Sequence, residues 1–155
     1  MSNDRVHVPD PALMRRATRR MTISLAFLLI LTTFFTVGGI SLVAAGELPG
    51  LPFAVGGAVL QIGAIALVIA TWNISRTLNG QTVARSSLLT ARRTSGWVRR
   101  ITLATILALI GYGVIRLALD DAFSLVTAGI ISIGLVLLAR GSKTIGLAQD
   151  QSLSR

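Results

Sequence analysis

Four stretches of this chain are nearly free of charge, and each is long enough to cross a lipid bilayer. They run from Thr22 to Ala45, Leu51 to Ile74, Ile101 to Leu119 and Ala122 to Ala139, and Arg116 is the one charged side chain inside any of them. A hydrocarbon core of about 30 Å is spanned by roughly 20 helical residues. Within lipid every backbone polar group must be satisfied inside the segment, so uninterrupted apolar runs of this length cross as helices. The expected fold is therefore all-α: an integral membrane four-helix bundle of two antiparallel hairpins, in a single domain covering residues 1–155. Composition agrees, since 14% of the residues are charged against about 25% in an ordinary soluble domain.

The breaks between the runs have recognisable chemistry. Asp10-Pro11 reads as a helix start, with Asp10 at the N-cap and Pro11 in the first helical position. Residues Met1 to Val8 are polar and expected to fray. Gly46-Glu47-Leu48-Pro49-Gly50 is a short breaking turn, and Pro52 sits where a first-turn proline belongs. Asn79-Gly80 reads as a helix stop. Residues 75–100 form the one substantial connection, a basic loop with Arg76, Arg85, Arg92, Arg93, Arg99 and Arg100, no acid, and Leu88, Leu89, Trp97 and Val98 interleaved. Only Asp120-Asp121 separates the third and fourth runs, which makes them a tight hairpin.

Charge then sets orientation. Arg5, Arg15, Arg16, Arg19 and Arg20 precede the first run, the central loop carries its six arginines, and Arg140, Lys143 and Arg155 follow the last run. The opposite turns have no basic residue apart from nearby Arg116. The positive-inside rule places both termini and the central loop on the cytoplasmic side. The net charge of +9 is accounted for by this distribution, so no nucleic-acid partner is expected. The expected location is the inner, cytoplasmic membrane of a bacterium, and Trp72 lies where an indole sits among headgroups.

The first run is preceded by arginines and closes on Val43-Ala44-Ala45, as a secretory leader would. A leader's apolar core is about 7 to 15 residues, however, and this run is much longer, so it reads as an uncleaved span. Arg19-Arg20-Met21-Thr22-Ile23-Ser24-Leu25 is mirrored by Arg99-Arg100-Ile101-Thr102-Leu103-Ala104. Shared arginine flanks are enough to account for that similarity.

Few residues are candidates for a site. Gln61 lies mid-span, where an amide needs a partner, and Thr32, Thr33, Thr105, Tyr112 and Ser132 lie at comparable depths. Read as structure, Gln61 joins helices; read as function, it lines a solute path. Glycines 38, 39, 56, 57, 63, 111, 113, 129 and 134, with the spaced pairs Ala54/Ala58, Ala104/Ala108 and Ala128/Ser132, read as the inner seam of the bundle, where close backbone approach supplies packing. Arg116 stands four residues before Asp120, so the two are expected to pair at the outer interface. The Asp120-Asp121 step is expected to cap the fourth span rather than hold a cation, which wants about six oxygen ligands. Arg85, Arg92, Arg93, Arg99 and Arg100 are candidates for anionic lipid headgroups.

Several chemistries find no residues. There is no cysteine, and His7 is the one histidine, which excludes thiolate metal sites and bis-histidine haem within the chain. No phosphate-cradling glycine loop, nucleophile elbow or His-Glu zinc motif occurs. Four-span multidrug exporters use a buried glutamate in their first span, and the first run here has none. The expectation is no metal, no cofactor and no catalysis.

Gly80, Val83, Arg92 and Arg93, with the closing stretch Leu147-Ala148-Gln149-Asp150-Gln151-Ser152-Leu153, follow an outline that resembles a family of small four-span bacterial membrane proteins, domain of unknown function 2975. Thr82 and Ser87 stand where that family has proline and asparagine. Members of the family often accompany small helix-turn-helix regulators, so the resemblance implies a regulatory or stress-linked membrane role rather than chemistry. The sequence thus leads to a non-enzymatic accessory, regulatory or interaction subunit, partnered by anionic lipid and by another membrane protein or its own copies. The alternative is a small oligomeric transporter or channel with Gln61 in its path.

Overall fold

A computed structural model gives the fold and describes residues 5–7, 11–78 and 82–153. A short strand β1 (Arg5–His7) precedes helix α1 (Pro11–Ala44). A single 3₁₀ turn at Leu48–Gly50 leads into α2 (Leu51–Thr77). Strand β2 (Thr82–Ala84) then enters α3 (Arg85–Leu117), and α4 (Ala122–Leu153) closes the chain. All four helices are long and apolar enough to cross a membrane. The protein is an all-α four-helix bundle, built as a multi-pass membrane protein.

Helix α2 is the hub: it packs against α1, α3 and α4, whereas α1 leans chiefly on α2. The core follows from that order. Leu60, Ala64 and Leu67 of α2 meet Val98 and Leu109 of α3 and Ala128, Ile131, Leu135 and Leu138 of α4, with Leu25 of α1 at one edge. Close approach of α1 to α2 depends on Gly39 and Gly57. A Cβ on Gly39 would collide with the backbone at Ala54 and Gly50, and one on Gly57 would collide with Thr36. The Phe35 and Phe53 rings stack beside this seam at 5.4 Å.

The expected inner seam of small residues divides in two. Gly39, Gly56, Gly57, Gly63, Gly113 and Gly134 face neighbouring helices, as do Ala128 and Ser132. Gly38, Gly111 and Gly129 open outward with nothing near them, and Ala104 and Ala108 are exposed. Spacing alone marks a face of a helix and carries no information on which side of the bundle that face lies.

Residues 75–100 are not a loop. Ser75 to Thr77 complete α2, and Arg85 to Arg100 form the first turns of α3. Leu88, Ala91, Ser95, Val98 and Thr102 recur at helical spacing and are buried, while the arginines occupy the opposite face. The break at 79–81, including the expected Asn79-Gly80 stop, lies outside the described residues, as does the expected Asp10 cap. The expected fraying of Met1 to Val8 is corrected at Arg5–His7, which pairs antiparallel with β2 and aligns Val6 with Val83; residues 1–4 and 8 lie outside the described residues. Val83 is fully buried and anchors a second small core with Ala70, Ile74, Leu88 and Ala91. Backbone pairing plus one buried valine is enough to order a polar strand.

Helix lengths complete the picture. At 1.5 Å per residue, the 34 residues of α1, 33 of α3 and 32 of α4 are each about 50 Å long, against roughly 30 Å of hydrocarbon. The excess lies at one end, where α1 and α3 begin and α4 finishes, and where Arg16, Arg19, Arg20, Arg140 and Lys143 are exposed.

Candidate functional site at the basic end

The projecting end is the most distinctive surface of the molecule. Arg85, Arg92, Arg93, Arg99 and Arg100 are all exposed on the first turns of α3. Among the described side chains the acids are Glu47, Asp120 and Asp121, all at the opposite end. Among the described side chains, the charges at the arginine-bearing end are all positive.

Two hollows open toward that end, and a third lies farther along the bundle, beside the middle of α2. The first, about 340 Å³, lies where the end of α2 meets the start of α3 and is lined by Asn73, Arg76, Thr77, Ser86, Ser87 and Thr90 over Ala70. The Arg76 guanidinium lies 5.3 Å from the centre of the Trp72 ring, within range of a cation–π attraction. The second, about 440 Å³ and open, is lined by Leu89, Arg92, Arg93, Gly96, Trp97 and Arg100. The third, about 90 Å³, is an apolar groove between Val59, Ile62 and Gly63 of α2 and Trp97, Val98, Ile101 and Thr102 of α3. The arginines were legible in the sequence as candidates. The part played by Trp97 was not, because it depends on residues 85–100 being helical.

No family model matches the chain, and no curated protein or solved structure matches it.

Gln61 and its companions do not converge. The Gln61 side-chain amide donates to Thr33 Oγ1 at 2.9 Å, and that hydroxyl donates to the Leu29 carbonyl at 2.8 Å. This short chain of bonds ties α2 to α1 at its half-buried seam. Thr32 and Thr105 turn back onto their own helices, to the carbonyls of Leu29 and Ile101. Tyr112 reaches the Leu48 carbonyl at 3.0 Å and so fastens α3 to the turn ahead of α2. Ser132 and Thr102 have buried hydroxyls with no partner.

The outer ion pair differs from expectation. Arg116 bonds Asp121, not Asp120, with Nη2 2.7 Å and Nε 3.0 Å from Oδ2. The i,i+4 expectation assumed that the helix continues, but α3 stops at Leu117. Asp120 takes a left-handed backbone with φ 61. Its N–H bonds the Leu117 carbonyl, and that of Asp121 bonds the Arg116 carbonyl, a Schellman ending with Asp120 at C′. The reversal swings Asp121 back over Arg116. Asp121 also caps α4 as expected, accepting from the Ser124 N–H at 3.1 Å and the Ser124 hydroxyl at 2.6 Å. These bonds from Ser124 and Arg116 hold its carboxyl down at about 2.

Proposed function

We propose that the protein is a non-enzymatic membrane module, an accessory, regulatory or interaction subunit of the bacterial cytoplasmic membrane, which works through its outer surfaces. The observation that carries this reading is the contrast between a filled interior and unpartnered faces. Leu60, Leu67, Leu109, Ile131, Leu135 and Leu138 close the middle of the bundle. Gln61, the residue best placed to line a path, is instead bonded to Thr33. Outside, α1 presents Ile23, Phe27, Ile30, Phe34 and Val37, with Phe34 80% exposed. Such a face is covered by lipid, by another membrane protein or by a second copy of this chain. The outline shared with domain of unknown function 2975 adds a regulatory leaning.

In this reading both termini are cytoplasmic, and the basic end meets anionic lipid headgroups. Each basic residue near such a surface is worth about 1 kcal/mol. Nucleic acid plays no part. Reporter fusions after Arg93 and at Arg155 should read cytoplasmic and one at Gly50 external; a cytoplasmic signal at Gly50 would overturn the topology.

The function itself is tested by isolating the full chain in mild detergent and identifying what travels with it. A stoichiometric second membrane protein supports the reading. A homo-oligomer alone moves weight to the transporter, which vesicle flux assays then decide. Reconstituted protein should pass no specific solute, and Gln61→Leu should change nothing. A wild-type flux lost in a stable Gln61→Leu variant would replace the accessory reading with the transporter.

A further inference from the structure

The Gln61 amide is only partly used within the bundle. A side-chain amide offers two N–H donors and a carbonyl oxygen with two lone pairs. One N–H goes to Thr33 Oγ1 at 2.9 Å, and Thr33 donates onward to the Leu29 carbonyl. Among the described residues nothing donates to Gln61 Oε1, and the second N–H has no acceptor. This oxygen is not buried either: the buried side-chain atoms without a partner are the hydroxyls of Thr102 and Ser132.

Depth gives the leftover groups their weight. The α2 span covers Leu48–Thr77, and at 1.5 Å per residue Gln61 lies within about 3 Å of its midpoint. Thr33 lies equally near the middle of the α1 span, Arg19–Ala44. Water is absent from this level of a bilayer, and an amide there needs a partner on another helix. The surroundings are open to one. Thr33 is exposed on the outer seam of α1 and α2, as are Ile30 and Val37 a turn to either side of it and Ile65 a turn on from Gln61.

We propose that this seam is the contact between two copies of the chain, joined by Gln61 of one paired with Gln61 of the other. A free donor and a free acceptor on one amide make the group complementary to itself. Two such amides related by a two-fold axis along the bilayer normal exchange two bonds, each carbonyl accepting from the other's free N–H. Copies inserted with the same orientation hold Gln61 at the same depth, so lateral approach alone brings the pair together. A foreign helix would need a polar group of its own at that level, and lipid tails offer neither donor nor acceptor. Pairing on the outer seam opens no path through either filled interior. It therefore leaves solute passage unchanged and stands apart from the accessory reading.

The chain has no cysteine, so single-cysteine variants of the full chain report the contact directly. In oxidised phosphatidylcholine vesicles Ile65→Cys should cross-link to a dimer, and Leu107→Cys, 73% exposed on α3, should not. Energy transfer between labelled copies at increasing lipid dilution gives the dissociation constant. Gln61→Leu should raise it about tenfold, as two membrane hydrogen bonds of ordinary strength give. Thr33→Val removes the internal bond but keeps the amide, and it should leave association intact. Both variants are checked for wild-type helicity in detergent.

Equal effects of Gln61→Leu and Thr33→Val on association, whether nil or large, would overturn the pairing and leave Gln61 as a tie between α1 and α2. Cross-linking through Leu107→Cys in place of Ile65→Cys would overturn it as well. A chain that stays monomeric in vesicles, yet cross-links through Ile65→Cys to another protein in native membranes, would give the seam to a different partner.

Discussion

Asp121 accepts four hydrogen bonds, two from Arg116 and two from Ser124, and joins the end of α3 to the start of α4. Its carboxyl is lowered from 3.8 to about 2. A group whose pKa falls on folding adds stability above its unfolded value and loses it as pH drops through the folded one. The melting difference between wild type and Asp121→Asn should therefore be constant from pH 7 to 5 and shrink between about pH 4 and 2. A difference that persists below pH 2 would show that the charge is not what matters. Thr102 tests burial rather than charge. Its hydroxyl is buried without a partner, and an orphaned polar group of this kind costs about 1–3 kcal/mol. Thr102→Val keeps the shape and removes the orphan, so detergent melts should show stability raised by about 1 kcal/mol; a clear loss would mean the hydroxyl is bonded. At this scale the sequence identified Arg116 and a cap in the Asp120-Asp121 step, since both follow from residue type; only the structure shows that Asp121 is the cap. Sequence spacing assigned the wrong partner because the left-handed turn at Asp120 depends on where α3 stops.

Among the elements, the basic end of α3 departs most from its reading as a loop. Arginine density masked a helical period of Leu88, Ala91, Ser95 and Val98, and two of those four positions are small or polar residues that carry little hydropathy. Burial of that face is completed by α2 and by the β1–β2 pair, which no local pattern in Arg5–His7 announces. Leu88 is 1% exposed beneath Val83 and Ile74. Truncating such a leucine costs about 2–5 kcal/mol. Leu88→Ala should lower stability by that amount, and hydrogen exchange should rise first in residues 82–95 while the apolar spans stay protected. Uniform loss of protection would mean that the projecting end and the spans unfold as one unit. Gly113 and Gly134 illustrate the legible part, since both do face neighbouring helices as the small-residue pattern implied.

At the scale of the whole molecule, hydropathy and charge pattern were enough for four helices and two hairpins, because lipid imposes those rules on any chain. The arrangement of the helices was not accessible in the same way. That α2 is the hub and α1 a flanking helix depends on which glycine faces which neighbour, and all the glycines look alike in sequence. Gly57 and Gly111 turn this into a contrast of sign. Alanine is favoured over glycine within a helix by about 0.5–1 kcal/mol. At Gly111 a Cβ would meet nothing within 4 Å, so Gly111→Ala should be stabilising by that amount. At Gly57 the same methyl is driven into Thr36 of α1, including its backbone, and overpacking of this kind costs about 1–3 kcal/mol. Gly57→Ala should therefore be destabilising. Because α1 leans chiefly on α2, the loss should appear as faster hydrogen exchange in α1, with α3 and α4 unchanged. Equal effects of the two substitutions would remove the basis for placing α1 outside a core formed by the other three helices. A Gly111→Ala variant that melts normally but loses an oligomer would instead mark that outward face of α3 as a contact between copies.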